Sequence, residues 1–282
     1  MPKVLMLHRV LPHKEVKTPN AYSDFGTLIT QEYLDAILVK LKSEGFQFVT
    51  ISELSMNLNE KRLIALTFDD GYSDNYTHAL PVLELHKATA TFYPVAIPCM
   101  NKSVLPLDSY YQWVDESNLQ LGEREDYIRG AKKREFYWLS PEEQMSFLDK
   151  HVNNLSNSQR RVRYMTATEL RELAERGNEI GSHGLSHALF TSGYMNEEKK
   201  RFELIESKRQ IENAIGLPVL SFCFPSGYYD QGDIQLVSES GYKSVVLIRK
   251  KNEAKYNSIH AFERLFVKPN AIDELLKELS ER

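Results

Sequence analysis

Apolar and polar positions alternate along the chain in blocks whose period switches between two and about 3.6, the spacings of strands and helices. Val4–Val10 reads as a first strand. Residues 31–44 keep helical spacing and end at Gly45, and Phe46–Ile51 follows as a short strand. Leu63–Phe68 is an unbroken apolar run of the length that suits a central parallel strand. Asn75–Lys87 is helical, with Pro81 tolerable only near the first turn, and Thr89–Val95 is again β-rich. Between residues 97 and 164 the pattern weakens. That stretch is polar with scattered aromatics (Tyr110, Tyr111, Trp113, Phe136, Tyr137, Trp138) and faint helical spacing at 141–155. A structureless loop of such length is uncommon in a compact domain, so a helical insertion or lid is expected there. The alternation then resumes. Thr166 and Glu169 form a capping box for a helix ending at Gly177, and Glu179–Ser182 is a strand. A helix over 196–215 follows Asn196, Val219–Phe224 is a strand, and a helix capped by Asp230 closes at Gly241. Tyr242–Ile248 and Leu265–Val267 are late strands, and a last helix follows Asn270. Strands alternating with helices imply a mostly parallel sheet, in a number that suits a barrel-like closure over a single domain spanning residues 1–282.

The candidate chemistry lies at two strand ends. LIALTFDDGY places Asp69 and Asp70 where α/β folds hold their ligands, at the carboxyl end of a strand. Adjacent carboxylates repel, and a cation or a shared proton relieves them; a plain Asp-Gly turn is the alternative. His183-Gly-Leu-Ser-His187 sets two imidazoles four residues apart, on one face if the segment is a helical turn. Two histidines and one carboxylate form a hydrolytic metal site with open positions, leaving the other carboxylate free as a base. Zinc is the default ion for that set, with cobalt, nickel and iron also suited. Arg264 enters the strand RLFV and can brace a carboxylate. His8 ends the first strand, where a proton-donating role and a satisfied core histidine are equally open. His260 reads as a solvated loop residue, Cys223 as a small apolar filler, and the tryptophans as packing for the insertion rather than sugar platforms.

Composition narrows the partners. A net charge of −4 and no basic run give no footprint for nucleic acid, and two cysteines are too few for a disulfide framework. The first residues carry no leader-like pattern and no stretch has transmembrane length, so a cytoplasmic enzyme is expected, with peripheral contact to a lipid-linked glycan still open.

TFDDGY, SHGLSH and FPSGYYD, in that order, resemble the first three motifs of the polysaccharide deacetylase family, carbohydrate esterases with the chitooligosaccharide-deacetylase homology domain. The resemblance covers Pro2–His8, Phe46–Val95 and Thr166–Val267. It implies a distorted (β/α) barrel of about seven strands and metal-dependent removal of acetyl groups from sugars. By position, Asp69 would be the general base, and Asp70, His183 and His187 would hold one divalent metal. The loop Pro225, Ser226, Gly227 would supply an oxyanion contact. Three departures stand out. Gly184 occupies a position usually held by Thr or Ser; the third motif keeps its proline but not its arginine; and the late Leu-x-His motif has no clean counterpart. The expected substrate is an N-acetylated amino sugar, in saccharide, glycolipid or nucleotide-sugar linkage. A deformylase or amidohydrolase on a non-sugar amide, and a catalytically weak glycan-binding module, remain as rivals.

Overall fold

The computed structural model describes residues 2–151, 162–248 and 259–281. Its strands are β1 (Lys3–Leu7), β2 (Arg9–Leu11), β3 (Leu28–Thr30), β4 (Gln47–Val49), β5 (Leu63–Asp70), β6 (Thr91–Pro94), β7 (Glu179–Ile180), β8 (Ser221–Cys223), β9 (Ser244–Leu247), β10 (His260–Glu263) and β11 (Leu265–Phe266). Every ladder among them is parallel. β1 pairs with β5, β5 with β6, and β6 with β7. A bridge from Ser182 to Phe222 carries the pairing to β8, which continues to β9 and β10. Only Arg264 separates β10 from β11, and β11 pairs with β1. The run 260–266 thus faces β9 with its first half and β1 with its second, bringing the ladder back to its starting strand. The result is a distorted (β/α) barrel, with β4 and the β2–β3 pair as additions.

Side chains on a strand alternate between faces, and here the alternation sets the polarity of the interior. Val4, Ala65, Tyr93, Cys223, Val246 and Phe262 form a small buried cluster inside, joined by Ile51 and Leu54 of the short helix Ile51–Met56. The intervening residues Leu5, Ile64, Leu66, Phe68 and Phe92 face outward into the main core, where Leu34, Ile37, Leu38 and Leu41 of the helix Gln31–Ser43 cover them. Counting by twos from the apolar floor gives Ala65, Thr67, Asp69 on β5, Val4, Met6, His8 beyond β1, and Phe262, Arg264 at the closing run. The interior therefore turns from apolar to polar toward one rim.

Several boundaries differ from expectation. The first strand breaks at His8, and β5 runs on through both aspartates. Pro81 sits in the first turn of the helix Leu80–Leu85, after a π-helical turn over Asn75–Ala79 that absorbs the missing N–H. His260 opens β10 rather than lying in a loop, because HAFE alternates over too few residues to be read as a strand. The insertion is helical, with Pro106–Glu116, Leu121–Arg129, Ala131–Trp138 and Pro141–His151, while residues 152–155 of the expected helical spacing lie outside the described residues. Its own core is aromatic: Tyr110 stacks on Phe136 at 4.3 Å, and Trp113 lies edge-on to Tyr127 and Phe147. Buried Asp108 ties it to the barrel by accepting hydrogen bonds from Tyr22 at 2.5 Å, from Tyr72 at 2.9 Å and from Tyr164. No helix of the described residues is long and apolar enough to cross a membrane.

Candidate active site

The two neighbouring aspartates point to different places because the strand ends between them. Asp69 keeps the pleat and faces inward, whereas Asp70 has φ 71° and Gly71 φ 79°, a left-handed pair that swings the second carboxylate over the rim. A Cβ on Gly71 would lie 2.8 Å from the Pro94 backbone, so only glycine lets β5 turn this close to β6. Asp70 Oδ1 then stands 3.4 Å from His183 Nε2 and 3.4 Å from His187 Nε2.

The imidazoles reach it by a route other than the expected helical turn. His183 follows Ser182, which is laddered to Ser221 and Cys223, and its Nδ1 lies 2.8 Å from the Cys223 carbonyl oxygen. As donor to that carbonyl, Nδ1 carries the proton and Nε2 is left to face a ligand. Residues 184–187 form a loop, not a helix, with Gly184 at φ 82° and His187 at φ 66°. Glu203, buried on the helix Glu197–Ile215, holds this loop: it accepts from the Leu185 N–H at 2.8 Å, the Ser186 N–H at 3.0 Å and the Ser186 hydroxyl at 2.5 Å. A Cβ on Gly184 would approach Glu203 Oε2 to 3.1 Å, so the glycine goes with the carboxylate brace. Sequence reasoning missed Glu203; the available signal was an acid next to Leu204 on the apolar face of a long helix.

Beneath the rim, Arg264 takes the place of the motif arginine. Its Nη1 donates to Asp69 Oδ1 at 2.7 Å and its Nη2 to Oδ2 at 2.8 Å, with Thr67 Oγ1 accepting from Nη1 at 3.1 Å. Both partners are nearly sealed from solvent, at 2% and 3% exposure. Burial would raise the Asp69 pKa, but the Arg264 guanidinium and His183 more than reverse it and hold the carboxyl below its ordinary value. Asp69 is therefore an anion with fixed orientation. His8 lies on its other side, Nε2 at 3.9 Å from Asp69 Oδ2, and its buried Nδ1 has no hydrogen-bond partner among the described residues. Burial pulls the His8 pKa down against the opposing pull of Asp70 and Asp69.

Two sets of donor atoms within reach of one ion share His183: Asp70, His183 and His187, and Asp69, His183 and Cys223. The second set does not suit a metal. Arg264 occupies both oxygens of Asp69, and burial pushes the Cys223 thiol above its ordinary value, toward the protonated form. The first set fits: one carboxylate oxygen faces two imidazole nitrogens, one of whose rings has its other nitrogen fixed by a carbonyl. Burial would raise Asp70, yet the two imidazoles that face it hold it well below the ordinary range, so it stays a carboxylate.

These groups floor a cavity of about 510 Å³. The barrel contributes His8, Asp69, Asp70, His183, His187 and Arg264, and the insertion contributes Tyr111, Lys133, Tyr137 and Trp138. Of the loop Pro225–Gly227, Ser226 lines the cavity, at φ 53°, and its hydroxyl shares a hydrogen bond with Tyr137 Oη. Pro225 has no N–H and the Gly227 N–H is bonded to the Phe224 carbonyl, so Ser226 is the member of the three placed to meet a ligand. Trp138 lies edge-on to Tyr228 at the cavity at 5.1 Å, whereas Trp113 is confined to the insertion core.

The family model described as Polysaccharide deacetylase matches residues 57–245, which include both the aspartate pair and the histidine pair. The chain belongs to the polysaccharide deacetylase family. Among its relatives, YxkH of Bacillus subtilis (strain 168), whose name places it in the same family, is 20% identical over 271 residues, covering 94% of this chain and 71% of the relative. The Streptococcus pyogenes deacetylase PplD, solved in complex with acetate, is similar in fold with a TM-score of 0.67 at 18% identity, covering 99% of this chain and 97% of that one. BC0361, a polysaccharide deacetylase from Bacillus cereus, has a TM-score of 0.64 at 15% identity, covering 98% of this chain and 68% of the other. The chain thus keeps the barrel of its family at low sequence identity.

Proposed function

We propose that the protein is a metal-dependent hydrolase that removes an N-acetyl group from an amino sugar. The observation that carries the reading is the convergence of Asp70, His183 and His187 on one point beside an Asp69 clamped by Arg264. A divalent cation, with zinc as the default, held by Asp70, His183 and His187 would supply an acidified water and polarise the acyl carbonyl. Asp69, anionic and fixed, takes the proton from the attacking water. Ser226, in the loop facing the cavity, offers its backbone N–H to the oxygen of the tetrahedral intermediate. His8 is neutral at rest, so it acts as an acid only after gaining a proton, and Asp69 at 3.9 Å is the neighbouring source. From His8 the proton passes to the departing amine. The aromatic wall around Tyr111, Tyr137 and Trp138 suits a sugar ring and excludes water from the acetamido group.

The deciding experiment measures acetate and formate release from N-acetyl and N-formyl amino sugars and from non-sugar amides, using chelated and metal-repleted protein. Acetate release from a sugar, lost on chelation and restored by zinc, is the expected result. Formate release or turnover of non-sugar amides would move the protein to another reaction. Tight glycan binding by metal-loaded protein with no acyl release would make it a binding module.

A further inference from the structure

The insertion carries a dense run of cations between residues 124 and 134, and most of them are spoken for. Arg124 pairs with Asp24 at 2.8 Å and Asp115 at 2.6 Å, and Lys132 meets Glu123 at 3.3 Å. Arg129 lies 3.7 Å from Glu125 and donates to the Asp24 carbonyl oxygen. Lys133 and Arg134 differ: neither has a carboxylate partner among the described residues, and both line the cavity that holds Asp69 and the histidines. The Lys133 ammonium instead lies over the Phe25 ring at 3.4 Å, with Tyr111 at 5.3 Å and Tyr137 at 5.6 Å. Aromatic faces attract a cation but leave its charge uncompensated. Partial burial, and secondarily Arg129, pull Lys133 down to about 7, the cost of a partly desolvated cation without a counter-ion. The two acids of the cavity cannot provide one, since Asp69 is taken by Arg264 and Asp70 faces the histidines.

We infer that the saccharide acted on at this site bears an anionic group, phosphate or carboxylate, near its acetamido group, and that Lys133 with Arg134 binds it. The inference rests on the deacetylase reading for its sugar and on the unpaired cations for its charge. A neutral chitin-like oligomer offers these two side chains hydrogen-bond acceptors but no counter-charge.

The test compares kcat/KM for acetate release by the metal-replete full chain on a neutral N-acetylglucosamine oligomer, on N-acetylglucosamine 1-phosphate and on a disaccharide containing N-acetylmuramic acid. The latter two arms separate phosphate from carboxylate. An advantage of about ten-fold or more for one acidic substrate at low ionic strength, shrinking with added salt, is expected. Lys133→Met should abolish most of that ratio, exposed Arg134→Gln should reduce it, and Lys133→Arg should keep it. Equal rates on neutral and acidic sugars, or an acidic preference that survives both charge-removing substitutions, would overturn the inference. Should no sugar yield acetate, the deacetylase reading fails separately. Calorimetric binding of the sugar phosphate then decides, and equal affinity for wild-type and Lys133→Met proteins would remove the anion site.

Discussion

A carboxylate with both oxygens on one guanidinium cannot turn, and that constraint distinguishes Asp69 from its neighbour. Replacing Arg264 with Met leaves a buried unpaired anion, which should cost about 3–5 kcal/mol in urea denaturation. Arg264→Lys keeps a charge but loses the fork, so turnover should fall by about ten-fold to a hundred-fold while metal content holds. Metal content by mass spectrometry beside acyl release separates the roles of the pair. Asp69→Asn should keep the ion and lose about a thousand-fold in rate, whereas Asp70→Asn and His183→Ala should lose both together. An Asp69→Asn protein without metal would reverse the assignment. At this scale the sequence was legible where chemistry forces residues together. Two carboxylates in TFDD demand an explanation, and so does a histidine pair. Glu203 escaped because it works through backbone N–H groups 18 and 17 residues away, and no local pattern marks such a brace.

The insertion is the element whose position the composition shift marked and whose attachments it could not. Nothing in the local pattern links Asp108 to Tyr22, Tyr72 and Tyr164, since those contacts span large separations in the chain. Burial pushes the Asp108 carboxyl up to about 7, so between its ordinary range and that value the folded protein holds a proton that the unfolded chain releases. The stability this contributes is complete below the unfolded pKa and is lost as pH rises through the folded one. Compared with Asp108→Asn, which does not titrate, the wild-type protein should therefore lose stability between about pH 4 and about pH 7, read from denaturation midpoints. Lys133 has the opposite sign: its folded pKa lies below its unfolded one, so its penalty is full at low pH and fades as pH rises above about 7. Lys133→Met should raise the melting temperature at about pH 6 and gain little at about pH 10. A side chain that weakens the fold while facing the cavity is a mark of function.

Over the whole molecule, the alternation of strands and helices made the parallel barrel readable, and the apolar run of β5 gave its centre. Barrel-like closure is expected from the number of units, and Leu265–Val267 reads as a strand; β10, which hands the ladder on to it across a buried arginine, does not, because HAFE is too short to show its alternation. Tight packing of the interior gives a further check. A Cβ on Gly181 would meet the Tyr93 ring and lie 2.9 Å from the Ser221 carbonyl oxygen, and Tyr93 is fully buried. Gly181→Ala should cost about 2–4 kcal/mol and reduce activity through the adjacent His183. The seam at Arg264 also orders events during translation. β1 and β5 leave the ribosome early with Asp69 already in place, but the guanidinium that aims it arrives only with the run that joins β9 to β1. A chain ending before that run would carry the aspartates and both imidazoles, but neither the guanidinium that fixes Asp69 nor the pairing that brings the ladder back to β1.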